Sequence, residues 1–325
     1  MNRTYRAIVA SLVAVAGLAG SAAAFAQNYP TKPVKIVVGF APGGVADITV
    51  RIVAQKLGER LKQQFLVENR PSAGGIIAAE AVAKAPPDGY TLLLISNGNA
   101  VSVSLFKKLS YDPIKDFAMV SEIGYFGLAI VTSNESKLKT VKEIIAAAKA
   151  NPGKLTVGTI GIGSTQHLSA ELFKSLAGID LTVVPFKGSS EVLTALKGGD
   201  IQLGFEILAP VMAQVKGGGL RAVAITTQGR FPGLPGVPTV IESGVPGYEV
   251  ASWNGIAAPA KTPRPVVELL NKEINAVLAL PEVKQRFDEL GVIPQGGTPE
   301  ELGALLTKEI AKWKDVVAKA KIERQ

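Results

Sequence analysis

The residues best placed to do chemistry lie in Val37-Val38-Gly39-Phe40-Ala41-Pro42-Gly43-Gly44-Val45-Ala46-Asp47, where an apolar run meets Pro-Gly-Gly and a helical pattern follows. A helix N-terminus carries unpaired N–H donors and the positive end of a dipole. Gly43 and Gly44 let a ligand approach that backbone. A carboxylate or phosphate is the natural guest, and a plain strand-to-helix connection is the alternative. Phe40 and Pro42 belong to the same candidate site, as does Asp47, which suits the dipole and could also bind a ligand amine.

Two further loops repeat the arrangement. Thr159-Ile160-Gly161-Ile162-Gly163-Ser164-Thr165-Gln166-His167 follows an apolar run and opens a helical one. Gly163 frees the backbone, while Ser164 and Thr165 are hydroxyl donors to a ligand or caps of the helix. His167 contacts the ligand or packs behind it. Gly161-x-Gly163 lacks the third glycine of a dinucleotide fingerprint. In Val184-Pro185-Phe186-Lys187-Gly188-Ser189-Ser190, the residues Phe186, Gly188 and Ser189 are candidates, with capping as the other role of Ser189. Glu206, just after an apolar run, reads as cleft rim, hinge hydrogen bond or a solvent-exposed charge. Ser96-Asn97-Gly98 reads as ligand rim or ordinary turn. Trp253 is core or an aromatic wall.

These groups are suited to holding an anion rather than breaking a bond. There is no paired-carboxylate pattern and no Gly-x-Ser-x-Gly. One His and no Cys argue against a transition-metal site. No catalytic residue, metal or cofactor is expected.

The elements that must position these loops alternate. Apolar runs at 34–40, 65–68 and 91–96 read as strands, with helical patterns over 46–61 and 75–84 between them. An extended piece at 127–132 precedes a second series. Its helices are expected over 141–150, 164–177, 189–197 and 209–216, and its strands over 155–158, 181–184, 201–205 and 221–226. A Pro/Gly-rich loop over 231–247 leads to a strand at 252–258 and helices over 265–280, 281–290 and 299–321. The pattern predicts α/β architecture in two lobes, joined by crossings near 127–132 and 252–258. Lobe 1 would comprise 27–126 plus 256–325, and lobe 2 would comprise 127–255. Ligands in such sheets sit beyond the carboxyl ends of the strands.

The first 26 residues read as a cleavable export signal: Arg3 and Arg6, an apolar stretch, then Ala24-Phe25-Ala26. No later run reaches the roughly 18 uncharged apolar residues of a membrane span. Losing Arg3 and Arg6 lowers the formal charge of +8 by two. The remaining charges are interspersed, which is a solvated surface and not a nucleic-acid patch. Without cysteine the core must hold the fold unaided.

In order along the chain come Tyr29-Pro30-Thr31-Lys32-Pro33, Pro42-Gly43-Gly44 with Asp47, Glu68-Asn69-Arg70-Pro71-Ser72-Ala73-Gly74-Gly75, Pro87-Asp88-Gly89-Tyr90, Gly163-Ser164 with His167-Leu168, Pro185-Phe186-Lys187-Gly188, and Pro259-Ala260-Lys261-Thr262-Pro263. Together they resemble the Bug, or TctC-type, periplasmic solute-binding proteins of tripartite tricarboxylate transporters. The resemblance implies a type II periplasmic-binding fold: two α/β lobes joined by two crossing strands around a ligand cleft. It implies a monomer in the periplasm that takes a small carboxylated acid and delivers it to an integral membrane permease. A sensor presenting its closed form to a kinase is the alternative; a hydrolase using Ser164 and His167 lacks the nucleophile elbow. Phe186 stands where the family usually has Tyr, and Glu206 where Asp is common, so no relative's ligand carries over.

Overall fold

The computed structural model describes residues 29–319 and 322–324. The export signal expected over residues 1–26 lies outside the described residues. Strand β1 (Val34–Val38) buries Val34, Ile36 and Val38 in one apolar cluster and Val37 in another. A strand buried on both faces needs helices on both sides. Helix α1 (Val45–Leu61) covers the first face with Val50, Val53 and Leu57. Helix α2 (Ile76–Ala83) covers the other with Ala78, Ala79 and Val82. Strands β2 (Phe65–Asn69) and β3 (Thr91–Ser96) flank β1 in parallel.

Strand β4 (Phe117–Ser133) is a continuous 17-residue strand, much longer than the expected piece at 127–132. Residues 117–127 pair with β9 (Ala251–Pro259), whereas residues 128–131 pair with β7 (Leu203–Ile207). One strand therefore runs out of one α/β layer into another, and β9 returns alongside it. The strand order is β2-β1-β3-β9-β4-β7-β5-β6, where β5 is Thr156–Ile160 and β6 is Thr182–Phe186. Strand β8 (Leu220–Ile225) pairs with the far half of β4, and β10 (Ile293–Gly296), which was not expected, pairs with the near half.

A second correction concerns residues 96–98. They are not a turn: helix α3 (Asn97–Leu105) starts there, under a capping box of Ser96 and Asn99. The second layer holds α4 (Val141–Ala150), α5 (Thr165–Ala177), α6 (Ser189–Gly198) and α7 (Leu208–Lys216). The C-terminal helices α8 (Arg264–Leu278), α9 (Pro281–Glu289) and α10 (Pro299–Lys319) go back to the first layer. There Leu270 and Ile274 pack with the α1 face, while Leu306 and Trp313 pack with the α2 and α3 face. Among the described residues no helix is long and apolar enough to cross a membrane.

Candidate functional site

The loop of residues 39–44 leaves the carboxyl end of β1 and hands its backbone to α1. Gly44 is the N-cap, with extended φ −78° and ψ 166°, and no side chain caps the helix. A Cβ placed on Gly44 finds only the Ala41 carbonyl, 3.9 Å away. Pro42, Gly43 and Gly44 are exposed and Phe40 is half-buried. The N-terminus of α1 therefore opens onto free space.

Asp47 is not free to bind a ligand amine. It is 3% exposed, and its oxygens accept from Gly43 N–H at 2.9 Å, Arg51 Nε at 3.0 Å and Asn69 Nδ2 at 2.8 Å. Asn69 Nδ2 also donates to the Phe40 carbonyl at 3.0 Å. Burial raises the Asp47 pKa, but the hydrogen bonds from Arg51, Gly43 and Asn69 and the Arg51 charge outweigh it and hold the carboxyl below its usual range. Asp47 thus fastens the glycine loop to the end of β2.

In the second layer, α5 is capped by Ser164, whose Oγ accepts the His167 N–H at 3.1 Å and donates to the Ile160 carbonyl at 2.9 Å. Gly163 takes φ +82°, and a Cβ there would lie 2.3 Å from Leu105 Cδ2 of α3. His167 is buried, which pushes its imidazole down to about 4, and Nδ1 accepts from Gly163 N–H at 3.4 Å. A neutral His behind the loop is a packing and hydrogen-bonding group. Helix α6 begins differently: Gly188 is its N-cap, no side chain caps it, and a Cβ there meets nothing within 4 Å. Phe186 is half-buried and its carbonyl accepts the Gly161 N–H at 3.0 Å, tying the two loops together.

The two layers meet at helix starts. Asn97, the first residue of α3, is 0% exposed. Its Nδ2 donates to Thr165 Oγ1, the first residue of α5, at 2.9 Å. Its Oδ1 accepts from Trp313 Nε1 at 2.6 Å, and that indole also reaches Glu309 Oε2 at 2.8 Å. Thr165 Oγ1 in turn donates to Ser252 Oγ of β9 at 3.2 Å. The hydroxyl hydrogens of Ser164 and Thr165, expected for a ligand, thus go to Ile160 and Ser252. Ser96 is likewise engaged as the cap of α3, accepting the Gly98 N–H at 3.2 Å. Trp253 is buried core.

Glu206, at the end of β7, is 0% exposed. Its Oε2 accepts from Ser189 Oγ at 2.7 Å and from Ile207 N–H at 3.3 Å. Desolvation pushes its pKa up to about 7, against the pull of the hydrogen bonds. Its Oε1 has no partner, nor has Nε2 of the neighbouring buried Gln166. Arg51, Asn69, Gln166, Ser252 and Trp313 are the site's unanticipated members. Asn69 and Gln166 stood within recognisable motifs; Arg51, Ser252 and Trp313 carry no local signal. Helices α3 and α5 are thus sealed by their own serines, while α1 and α6 present glycine-capped, uncapped ends.

Comparison with known proteins agrees with this architecture. The family described as tripartite tricarboxylate transporter family receptor, TctC, matches residues 49–322. The protein BugT of Bordetella pertussis is 36% identical over 320 residues, covering 98% of both chains. Rhodopseudomonas palustris Rpa4515, solved with adipate, is 36% identical with a TM-score of 0.85 over 91% of this chain and 100% of that one. The periplasmic binding protein BugD is 33% identical with a TM-score of 0.83, over 91% and 100%. R. palustris MatC, solved with bound malate, is 33% identical with a TM-score of 0.81, over 89% and 100%.

Proposed function

We propose, from the premise that this chain belongs to the tripartite tricarboxylate transporter receptor family, TctC, that it captures a small dicarboxylate-like organic acid between its lobes and delivers it to a membrane permease. The family is one of solute-binding receptors and not of enzymes. The observation that carries the reading is the pair of uncapped helix ends: Gly44 starts α1 in one lobe and Gly188 starts α6 in the other. Each end offers backbone N–H groups and a dipole to one carboxylate. The relatives solved with adipate and malate hold acids of that class.

The lobes divide as 27–126 plus 256–325 and as 127–255. This division fits the change of pairing on β4 at residues 127 and 128. Closure about those crossings brings the two helix ends onto one ligand. Export through the segment 1–26 places the receptor in the periplasm as a monomer. Calorimetry of the purified mature chain with adipate, malate and other small organic acids is the test. Saturable binding of one acid per chain is expected, with Gly188→Val weakening it while leaving the melting profile cooperative. Failure of every organic acid to bind would remove the receptor reading.

A further inference from the structure

We propose that Glu206 serves the ligand site as a neutral carboxyl whose Oε1 hydroxyl donates a hydrogen bond to a ligand carboxylate, so that capture takes up a proton; this rests on the receptor reading above. The hydrogen-bond pattern is lopsided. Oε2 accepts from Ser189 Oγ and Ile207 N–H, while Oε1 has no hydrogen-bond partner. That is how a carboxylic acid behaves, with Oε2 as carbonyl and Oε1 as hydroxyl. Gln166 Nε2, a second buried donor without a hydrogen-bond partner, lies close enough to the Glu206 carboxyl to pull its pKa down, though burial outweighs that pull. Two adjacent donors lacking acceptors match the two oxygens of a carboxylate.

Among the described residues no cationic side chain is hydrogen-bonded or ion-paired to Glu206. Across β4 the residue opposite is Ala129, and α7 begins with Leu208 and Ala209. On α5 the titratable neighbour is His167, which burial keeps neutral near pH 7. At the start of α6 stand Lys187 and Glu191, both exposed, and the Glu191 carboxylate accepts the Lys187 N–H at 3.1 Å. A carboxyl so placed has only hydrogen bonds to offset desolvation, and it titrates near neutrality. The proton comes from solvent: an ionised Glu206 and a ligand dianion combine with one H⁺ to give the hydrogen-bonded acid–carboxylate pair.

The experiment is calorimetry with adipate and with malate at pH 6, 7 and 8, in buffers of different ionisation enthalpy. Wild type should take up protons on binding, and Kd should rise above pH 7 toward about tenfold per pH unit. At pH 6, Glu206→Ala should bind about tenfold or more weakly. Glu206→Gln, which keeps a donor, should recover most of that loss and show neither proton uptake nor pH dependence. Pushed up to about 7 by burial, Glu122 would leave its pH dependence intact in Glu206→Gln. Persistence of that dependence overturns the proposal. So does failure of Gln to recover binding, since a hydrogen-bond donor at this position would then not account for the loss in Glu206→Ala.

A readout on the free protein separates the two readings. The infrared carbonyl band of a protonated carboxyl should be stronger at pH 6 in wild type than in Glu206→Gln, where Glu122 still contributes. Equal bands in the two proteins refute the neutral Glu206 carboxyl even if acids bind. If the bands differ and no acid binds, the receptor reading fails and the donor role falls with it.

Discussion

Removing the Asn97 side chain tests how the lobes are held together. Asn97→Ala deletes the bond from Nδ2 to Thr165 Oγ1 at 2.9 Å and the bond from Trp313 Nε1 to Oδ1 at 2.6 Å. No donor is stranded, because Trp313 Nε1 keeps Glu309 Oε2 at 2.8 Å and Thr165 Oγ1 keeps Ser252 Oγ at 3.2 Å. The cost is therefore two net hydrogen bonds, about 0.5–1.5 kcal/mol each, without an added penalty for an unsatisfied group. Alanine's better helix propensity at this first position of α3 returns about 0.5 kcal/mol or less. The sum is a loss of roughly 0.5–2.5 kcal/mol, or about 1–10 °C at some 2–4 °C per kcal/mol. Scanning calorimetry without ligand reads the melting temperature, and small-angle scattering reads lobe separation as a larger radius of gyration. The cycle with Thr165→Val, which removes the same bond from the other side, should be non-additive by roughly 0.5–1.5 kcal/mol. An Asn97→Ala protein melting within about 1 °C of wild type, with an additive cycle, would refute the interlobe bond as a stabilising contact.

Three other perturbations probe the loops. Gly163→Ala puts a Cβ at φ +82° and 2.3 Å from Leu105 Cδ2, so denaturant unfolding should show a loss of about 1–3 kcal/mol; an unchanged midpoint would mean that α3 does not press on this loop. Gly44→Val has open space for its side chain, so the protein should fold and melt as wild type yet bind the acid at least about tenfold more weakly; equal affinity by calorimetry would rule out the backbone anchor at α1. The Asp47 carboxyl lies lower in the folded than in the unfolded chain, so its contribution is complete above the unfolded pKa of about 3.9 and is lost as pH falls through the folded value. Stability measured from pH 6 down to 2 should therefore fall less steeply in Asp47→Asn than in wild type, and identical slopes would refute the linkage.

Where local pattern decides an element, the sequence was legible. The apolar or β-branched runs of β1, β3 and β5 and the glycines before α1 and α6 reveal strands, helices and their order, because burial on two faces and a helix start both demand particular residue types nearby. Helix α3 was not legible. Its first residues are Asn97-Gly98-Asn99, which are turn formers, and its capping box uses Asn99 in place of the usual Glu or Gln. The first half of β4 was hidden too. Ser121, Glu122 and Gly124 break the alternation there, and bulges against β9 shift the register near the same residues. Strand β10, four residues beginning Ile293-Pro294, exists only because β4 offers it an edge.

The site divides along the same line. Residue types at strand ends show where polar groups gather, but not which of them already have partners. Ser164, Thr165 and Asn97 have the chemistry of ligand donors, yet each finds its acceptor in the protein, and for Asn97 that partner, Thr165, lies in the other layer of the fold. Glu206 shows the reverse. Its nearest polar neighbours, Ser189 and Ile207, satisfy one oxygen and leave the other empty. A buried polar atom without a partner costs about 1–3 kcal/mol, and two from neighbouring side chains make a candidate for completion by a ligand. On the proposed receptor reading, Glu206 and Gln166 beside the uncapped start of α6 are therefore better candidates for the second lobe's half of the site than the serine-capped loop before α5.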